Sequence, residues 1–390
     1  MRLFVLLSRF PYPLDKGDKL RAFHQLRILS QNHQIFLCAL HEEALQEDWI
    51  KAVQPYCEKI ETIQISKATQ FIQLIGALFS NRPFQVAYFF QPSAQNQIKH
   101  LIKTWKPDVV YCQLLRMAEY VKEIEQISKV IDFQDAFSIG IARRLDTDPV
   151  YLKPLLSSEK KRLEGYEKAI HKSFDGCTII SEQDRNQLPF AEKNDVVIVG
   201  NGVQMDVFAP SNAKKTEDIL FAGNMGYPPN VEACVFLANE VMPLVWKTIP
   251  NARLMLAGAR PSTQVRQLAE DRITVTGWVD DMRDCYAKST LFVAPMMIGT
   301  GLQNKLLEAM AMQLPCVTTT LSNNALKAEA STEIILAETA MEFAEAIIHL
   351  LRNPEEARKI ALNGHRFIQN HYSWEAQTKP LLALLEKVRS

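Results

Sequence analysis

A lysine and a glutamate stand three residues apart near the start of a predicted helix, in the stretch IGTGLQNKLLEAMAMQLP from residue 298 to 315. Apolar side chains recur there at helical spacing, at Leu302, Leu306, Met310 and Leu314. This spacing predicts a helix that begins just after Gly301 and ends before Pro315. Lys305 then lies in the first turn, where the helix dipole disfavours a cation unless an anion is bound. The pattern therefore predicts that an anionic ligand binds at the start of this helix.

The loop before this helix, MMIGTG, is typical of a site for a phosphate group. It follows the apolar run LFVAP, and Gly299 and Gly301 let the backbone approach a ligand closely. Free N–H groups at a helix start bind phosphate, so a diphosphate there would be the counterion of Lys305. Glu308 could then accept hydrogen bonds from the diol of a ribose. The alternative is a weak surface ion pair between Lys305 and Glu308.

Short apolar runs alternate with helical patterns along the chain, which predicts two α/β domains built on parallel sheets. The candidate strands of the first half are LFVLL, IFLCAL, DVVYC, KVIDF, CTII and VVIV. Those of the second half are DILFAG, ARLMLAG, ITVTG, LFVAP, CVTTT and EIIL. A polar stretch between the halves predicts a hinge near residues 204–217. Ligands of such open sheets bind beyond the carboxyl ends of the strands, so the site is expected in those loops.

The composition excludes several classes of protein. The 390 residues include 44 basic and 44 acidic side chains, so the chain lacks the broad positive charge of a nucleic-acid binder. Its seven cysteines form no CxxC pair or cluster, which predicts reduced packing residues in a cytosolic protein and no metal site. The apolar N-terminal run is too short for a signal peptide or a membrane span.

Three further segments allow two interpretations each. The loop SRFPYPLDKGDKLR has a single glycine, Gly17, which argues against a dinucleotide fold; its Lys16, Lys19 and Arg21 could hold an anion or simply be solvated. The run FIQLIGALF at 71–79 favours a buried core helix, with a helix lying on a bilayer as the alternative. DTD at 146–148 matches a metal-binding DxD motif, but a solvated turn is favoured.

The stretch GTGLQNKLLEAMAMQLPCVTT resembles the signature region of the retaining, group 1 (family four) glycosyltransferases of the GT-B fold. The segments TIISEQDRNQL, VVIVGNGVQMDVFAP and ITVTGWVDDMRDCYAKSTLFVAPM resemble other motifs of that family, in the expected order. The similarity extends over about residues 177–375 and is weak in the first half. The N-K-x-L-E-A-M-A helix and the G-x-M-x-Y-x-P-N loop resemble a bacterial subgroup associated with extracellular polysaccharide production and the exosortase system.

The resemblance implies an α/β protein with two doubly wound, Rossmann-like domains facing across a cleft. Residues 1–205 would form the acceptor-binding domain, residues 206–370 would bind the nucleotide sugar, and residues 371–390 would form a helix packing back onto the first domain. The implied reaction is the retaining transfer of a sugar to a glycan or lipid-linked acceptor, in polysaccharide or glycoconjugate biosynthesis. No cofactor, metal ion or nucleic acid is expected. The implied location is the cytoplasm, with a peripheral contact to the inner face of the plasma membrane compatible with a lipid-linked acceptor.

The resemblance also assigns residues to this reaction. Glu308 would bind the ribose and Gly301 and Leu302 would offer N–H groups to the diphosphate, while the base would lie near Gly277, Trp278 and Val279. The predicted nucleotide-sugar site as a whole comprises Gly223, Asn224, Gly277, Trp278, Val279, Gly299, Gly301, Leu302, Asn304, Lys305 and Glu308. The predicted acceptor-side loop comprises Lys16, Gly17, Asp18 and Arg21.

The chain departs from the family pattern at three places. Thr300 stands where the family usually has a glutamate that contacts the donor sugar. The loop AGNMGYPPN lacks the usual arginine and lysine, so Lys305 is the natural substitute. Where many members have a histidine, VIDFQDAFS offers Asp132, Gln134 and Asp135. Lys305, Asp135 and Thr300 are therefore the predicted catalytic residues of a metal-independent transfer, in which the acceptor proton goes to the departing phosphate or to Asp135.

Two alternative functions share the same architecture. A nucleotide-sugar 2-epimerase would hydrolyse or rearrange its sugar without an acceptor. A non-catalytic partner subunit would retain the fold alone, and Thr300 together with the missing arginine and lysine makes that conceivable.

Overall fold

The computed structural model describes residues 1–147, 149–297 and 302–389, and it describes only the backbone of Arg143, Asp146 and Thr147. The chain divides into two compact units. Unit 1 comprises Met1–Asn201 and Gln377–Ser390, and unit 2 comprises Gly202–Ala376. The side chains of the predicted DxD motif lie outside the described part, so its interpretation as a solvated turn stays a prediction.

Unit 1 is built on a parallel sheet with the strand order β3-β2-β1-β4-β5-β6-β7. Its strands are β1 Arg2–Leu7, β2 Gln34–His41, β3 Lys59–Gln64, β4 Val109–Gln113, β5 Ser128–Asp132, β6 Gly176–Ile179 and β7 Val197–Ile198. Among the described strands of this unit, β3 is the one that the apolar runs do not predict. It lies at the sheet edge, and four of the six residues of its sequence KIETIQ are polar, so it forms no apolar run.

Helices cover both faces of this sheet. They are α1 Gly17–Leu29, α2 Glu47–Val53, α3 Lys67–Leu78, α4 Phe84–Phe89, α5 Pro92–Trp105, α6 Phe137–Thr147, α7 Lys153–Ser173 and α8 Glu182–Asn186. Because side chains alternate along a strand, Leu3 and Val5 enter one hydrophobic core and Phe4 and Leu6 enter the other. Burial on both faces explains why the inner strands are continuous apolar runs.

Unit 2 repeats this architecture with the strand order β10-β9-β8-β11-β12-β13. Its strands are β8 Glu217–Ala222, β9 Leu254–Ala257, β10 Ile273–Val275, β11 Ser289–Ala294, β12 Cys316–Thr318 and β13 Ile335–Leu336. Its helices are α9 Pro228–Phe236, α10 Met242–Trp246, α11 Thr263–Arg266, α12 Met282–Lys288, α13 Asn304–Ala311, α14 Thr320–Leu326, α15 Ala340–Arg352 and α16 Pro354–His371. All six strands were expected from their apolar runs. Each neighbouring pair is parallel.

The last helix, α17 Trp374–Arg389, ends the chain. From Gln377 onward its residues group with unit 1. Leu381 and Leu385 are fully buried there and share a core with Leu3 and Val5. Ser128 also donates a hydrogen bond of 2.6 Å to the carbonyl oxygen of Val388. Apolar burial and this bond therefore join the C-terminal helix to the sheet of unit 1.

Helix α3 contradicts the expectation of a buried core helix for residues 71–79. Phe71, Ile72 and Phe79 are 66%, 63% and 87% exposed, while the polar Gln70 is buried. The helical periodicity was a sound indication of a helix, but it does not say which face of that helix packs on the unit. Here the larger apolar face is the outer one. Among the described residues, no helix has both the length and the apolar character that a membrane span requires.

The strand order of each sheet reverses at one point, between β1 and β4 in unit 1 and between β8 and β11 in unit 2. Loops that follow strands at such a reversal diverge, so a ligand site is expected at this point of the carboxyl edge. In unit 2, one of these loops follows β8 and contains Gly223 and Asn224, and the other follows β11 and leads into α13. The fold thus brings Met296 and the start of α13 to the neutral AGNMGYPPN loop.

Candidate functional site

Lys305 is the second residue of α13 and points back toward the loop after β8. Its Nζ donates a hydrogen bond of 2.5 Å to Oδ1 of Asn230 and lies 4.6 Å from the centre of the Phe221 ring. It also lies 3.5 Å from Sδ of Met296. Among the described residues, no carboxylate lies within 4.0 Å of Nζ. The cation is therefore held by an amide, an aromatic face and a thioether.

These surroundings make the charged form of Lys305 costly. Burial lowers the pKa of Lys305 from 10.5 to about 8, because desolvation disfavours the charged form. The amide oxygen of Asn230 accepts one of three ammonium protons, and Asn230 is itself fixed by a 2.9 Å bond from Nδ2 to the carbonyl oxygen of Asn224. A bound anion would restore the ordinary preference for the charged form.

The start of α13 adds a second positive feature. The residue before the helix, Gln303, has an extended backbone and makes no side-chain hydrogen bond that caps the first turn. The N–H groups of that turn therefore keep the partial positive charge of a helix terminus. The predicted helix begins two residues later than expected and ends at Ala311, because the backbone is extended at Gln303 and turns left-handed at Gln313. Leu302 consequently precedes the helix and is exposed.

Glu308 lies one turn beyond Lys305 and is fixed by a tyrosine. Tyr286 of α12 is buried, and its Oη donates a hydrogen bond of 2.8 Å to Oε2 of Glu308. Burial raises the pKa of Glu308, against the opposing effects of this bond and of the Lys305 charge. One carboxylate oxygen is thus bound by the tyrosine, and the group as a whole is oriented and partly desolvated.

Close backbone packing shapes the loop after β8. A Cβ atom on Gly258 would lie 1.8 Å from the carbonyl oxygen of Gly223, and the φ of Gly258 is +145°, so only glycine fits. Gly223 in turn lies against the end of Lys305, since a Cβ there would be 3.4 Å from Nζ. The exposed Asn224 accepts a 3.0 Å bond from the N–H of Gly226 through its side chain. Gly223 and Asn224 therefore border the space around Lys305.

The loop after β10 presents an aromatic side chain. Gly277 has a φ of +70°, which reverses the chain directly after the strand. The next residue, Trp278, is 77% exposed, and its Nε1 donates a 3.2 Å bond to Oδ1 of Asp280. Val279 is half-buried against the core of unit 2. An indole ring fixed at its edge and open on its faces can stack on a planar base.

Three predicted residues of the phosphate loop, Gly299, Thr300 and Gly301, lie outside the described part of the chain. Their assignment stays a prediction. Asn304 is exposed and opens α13. The structure thus brings Gly223, Asn224 and Lys305 together, with Glu308 one turn along the same helix.

In unit 1, the predicted acceptor loop has a different character. Arg21 is buried, and its guanidinium forms a bidentate pair with Asp132 at 2.7 and 3.1 Å. It also donates to the carbonyl oxygen of Gly200 and to Oδ1 of Asn201. This placement does not favour a ligand role for Arg21, which fixes the start of α1 to the end of β5 instead.

The other residues of that loop lie nearer the surface. Lys16 and Gly17 are exposed, and Gly17 begins α1. The carboxylate of Asp18 accepts a 2.6 Å bond from Arg9 and lies 3.6 Å from Arg116. At the tip of the loop, Lys16 lies beside the exposed Asp15, which pairs with Lys19 at 2.9 Å, while Asp18 is engaged by arginines of its own unit.

Asp135 borders a cavity of about 410 Å³ at the carboxyl edge of β5. The residue is exposed and follows Gln134, whose φ of +60° turns the chain after the strand. The other lining residues include Gln85, Arg144 and Asp184. Asp132, by contrast, is fully buried and accepts bonds from Arg21, Tyr111 and Thr178. Of the two predicted aspartates, Asp135 is therefore the one that a ligand can reach.

Four residues around Lys305 and Glu308 were not assigned from the sequence, although the structure places them in contact with one or the other. They are Phe221, Asn230, Tyr286 and Met296. The loop motif that ends in Asn230 and the segment that contains Tyr286 were recognised as patterns. The spacing of those motifs could have identified two of these residues. Met296 opens the MMIGTG loop after β11 and could have been noted with it, whereas Phe221 reaches the site through its position in β8.

Comparisons with known proteins bear on unit 2 first. Residues 216–353 match the model of the family described as Glycosyl transferases group 1. Unit 2 is therefore similar in sequence to the group 1 glycosyltransferases over most of its length. A Klebsiella pneumoniae relative is named an uncharacterized 44.6 kDa protein in the cps region. It is 24% identical, and the match covers 95% of this chain and 96% of the relative.

Solved structures match over both units. Sucrose-phosphate synthase from Thermosynechococcus elongatus has a TM-score of 0.61 at 15% identity, over 100% of this chain and 99% of that one. The Anabaena protein HepE, solved in complex with UDP, has a TM-score of 0.61 at 12% identity, over 99% of this chain and 100% of its own. The predicted α/β class and GT-B fold, with two Rossmann-like parallel sheets, are confirmed.

Proposed function

We propose that this glycosyltransferase moves a sugar, with retention, from a nucleotide-sugar donor bound by unit 2 to a glycan or lipid-linked acceptor bound by unit 1. The observation that carries the proposal is Lys305: a partly buried cation at an uncapped helix start, bonded to the amide of Asn230. A diphosphate is the anion that fits beside Lys305 and the helix N–H groups.

The ribose and the base of the donor are assigned to other residues of unit 2. Glu308 lies one turn along α13 and would accept hydrogen bonds from the ribose hydroxyls, with Tyr286 holding the carboxylate in place. The base would stack against Trp278 in the loop after β10. The UDP complex of the structurally similar HepE supports a nucleotide in a fold of this kind. Thr300, where the family has a glutamate, remains a predicted contact of the donor sugar.

The chemistry needs no metal ion from this chain. The acceptor hydroxyl oxygen forms a bond to the anomeric carbon, and the bond from that carbon to the diphosphate oxygen breaks. The hydroxyl proton passes to the departing diphosphate or to Asp135. Lys305 and the helix start stabilise the charge that develops on the leaving diphosphate, a contribution that is typically worth several kcal/mol.

The name of the Klebsiella relative supports polysaccharide or glycoconjugate biosynthesis as the context of this reaction. The acceptor would enter the Asp135 cavity, which has room for a sugar-sized group and contains both an anionic and a cationic side chain. The linkage depends on how that cavity orients the acceptor hydroxyl.

The test begins with a thermal-shift screen against UDP-, GDP-, ADP- and dTDP-sugars, because a ligand of the native state raises its apparent stability. Product formation from the best donor is then measured with and without glycan and lipid-linked acceptors, in the presence of EDTA. Lys305→Ala should lower turnover about a hundredfold, as removal of one such donor typically does. Lys288→Ala, which changes an exposed lysine of the same unit, should leave turnover unchanged.

Three results would contradict the proposal. Near-normal turnover of Lys305→Ala would remove the lysine from the reaction. Conversion of the donor sugar without any acceptor would identify an epimerase. Binding of a donor with neither transfer nor hydrolysis would identify a non-catalytic subunit.

A further inference from the structure

Helix α3 of unit 1 carries an apolar stripe on its outer face. Phe71, Ile72, Ile75, Leu78 and Phe79 recur at the spacing of one helix face, and their exposed fractions are 66%, 63%, 44%, 56% and 87%. Scattered exposed apolar residues are common, but a contiguous stripe that includes two phenylalanines marks an interaction surface. The proposal below concerns this α3 stripe.

The rest of the helix fixes the stripe in place. The inner face is held by the buried Ala77 and Gln70, and Arg162 of α7 donates a 2.6 Å bond to the carbonyl oxygen of Ala77. Ser66 caps the first turn by accepting a 3.4 Å bond from the N–H of Thr69. The helix is thus anchored on one side and capped at its start, so the apolar stripe is a built feature of the unit.

The sequence around the α3 stripe contains basic residues and no acidic ones. No acidic residue occurs from residue 62 to residue 107, whereas a chain with 44 acidic residues in 390 would carry about five in such a stretch. The same stretch contains five basic residues, of which Lys67 opens α3 and Arg82 follows its end. Among the described contacts, four carboxylates from other elements touch this stretch. Glu119 and Glu159 are buried, whereas Glu61 and Glu123 contact Gln97 and Lys99 of α5 and not α3.

The two buried carboxylates, those of Glu119 and Glu159, are already satisfied within the unit. Glu119 lies 2.8 Å from Arg82 and 3.0 Å from Lys122, and it accepts a hydrogen bond from Tyr166. Glu159 accepts the N–H groups of Phe84 and Gln85. Neither presents a negative charge at the surface. The α3 stripe is therefore an apolar face with a cationic border.

We propose that the α3 stripe docks unit 1 onto the surface of an anionic lipid bilayer. The helix would lie in the plane of the interface, with its apolar face among the acyl chains and Lys67 and Arg82 at the level of the headgroups. A second copy of the chain would place the two cationic borders together, and an acidic protein would leave the phenylalanines without an apolar phase. A bilayer satisfies both features of the surface.

The position of the helix relates this surface to the cavity of unit 1. Helix α4 follows α3 and packs against it, and Gln85 of α4 lines the cavity that contains Asp135. Docking would bring this cavity close to the headgroups. Bilayer binding itself does not depend on the proposed transfer reaction, so it can be tested in the absence of any donor or acceptor.

The experiment measures sedimentation of the full chain with vesicles of phosphatidylcholine alone and of equal parts phosphatidylcholine and phosphatidylglycerol. Wild type should bind the anionic vesicles at least tenfold more tightly than the neutral ones. Phe71→Gln with Phe79→Gln should weaken that binding at least tenfold, because both changed side chains contribute to the apolar face. Met341→Gln, which removes an exposed apolar side chain from α15 in unit 2, should bind like wild type.

Two further measurements control for unfolding of the variant and for binding through another surface. The double variant should unfold at the same temperature as wild type, since both changed side chains are exposed. Hydrogen exchange with anionic vesicles should slow in residues 67–80, and protection located elsewhere would overturn the proposal. It would also be overturned by equal binding of wild type and double variant, by no vesicle binding at all, or by a concentration-dependent dimer that the double variant abolishes.

Discussion

Two helices that border the strand-order reversals of the two sheets each carry a cation in an early turn, and the cations have different partners. In unit 1, Arg21 of α1 is fully buried and lies 2.7 Å from the carboxylate of Asp132. In unit 2, Lys305 of α13 is partly buried and lies 2.5 Å from the amide oxygen of Asn230. The first cation has its anion within the protein. The second donates its hydrogen bond to a neutral amide.

The difference separates a structural role from a ligand-binding one. The charge of Asp132 and a bidentate hydrogen bond raise the pKa of Arg21 against the effect of burial, so this pair is complete. Burial lowers the pKa of Lys305 to about 8, because the desolvation of its ammonium group outweighs the opposing charge of Glu308. Two similarly placed cations thus have opposite energetic consequences, and only Lys305 gains from a bound anion.

Removal of the carboxylate in unit 1 should have the largest effect on stability. Asp132→Ala leaves the buried guanidinium of Arg21 without its counterion, so the free energy of unfolding should fall by about 3–5 kcal/mol. Urea unfolding followed by circular dichroism measures this. Glu123→Ala, which breaks the exposed pair with Lys99, is the control and should change it by less than about 1 kcal/mol. A loss from Asp132→Ala as small as that of the control would make the two cations equivalent.

Removal of the cation in unit 2 should have the opposite effect on stability and increase it. Lys305→Met should raise the free energy of unfolding at pH 7 by up to about 3 kcal/mol, the equivalent of a pKa lowered from 10.5 to about 8. The unfolded state binds the extra proton between these two values, so wild type should gain stability as the pH rises from about 8 toward 10.5. The variant should lack this gain.

Urea titrations of both proteins at pH 7 and pH 9.5 measure this difference. A wild-type protein whose stability does not rise over that range, together with a variant that is less stable at pH 7, would show that Lys305 is well compensated already.

The tyrosine beside Glu308 should have a smaller effect that is confined to the donor site. Tyr286→Phe removes the 2.8 Å hydrogen bond to Glu308 and should weaken nucleotide binding severalfold, with a stability loss of about 1 kcal/mol. Tyr372→Phe removes a 2.6 Å bond to the carbonyl oxygen of Leu326 in the same unit and serves as the matched control. Calorimetry should show weaker nucleotide binding for Tyr286→Phe only. Equal affinities of the two variants would remove the tyrosine from the site.

The fold could be predicted from the sequence largely because its inner strands are buried on both faces. Such strands are continuous apolar runs, and all of those described in unit 2 were found in this way. The edge strand β3 was missed because one side of it is open and its sequence is mostly polar. The direction of α3 was predicted wrongly, since periodicity reports that a helix has an apolar face and not where that face points.

The candidate site could be predicted in part. Lys305 and Glu308 stand three residues apart on one helix, so local spacing was enough to identify them. Arg21 was assigned to a surface loop because its partner Asp132 is 111 residues away along the chain, too far for local spacing to indicate the pair. Contacts of that kind depend on which strands lie side by side. The same holds for Asn230, which reaches Lys305 across 75 residues.

The most direct test of the comparison measures the affinity for the anion that Lys305 is expected to bind. Isothermal titration calorimetry at pH 7 compares wild type and Lys305→Met, each with the nucleoside diphosphate that stabilises wild type most and with the corresponding nucleoside. Lys305→Met should weaken diphosphate binding about 10- to 100-fold, the equivalent of one hydrogen bond to a charged group, and leave nucleoside binding unchanged. Equal affinity of both proteins for the diphosphate would contradict the account, because the lysine would then have no part in holding the anion.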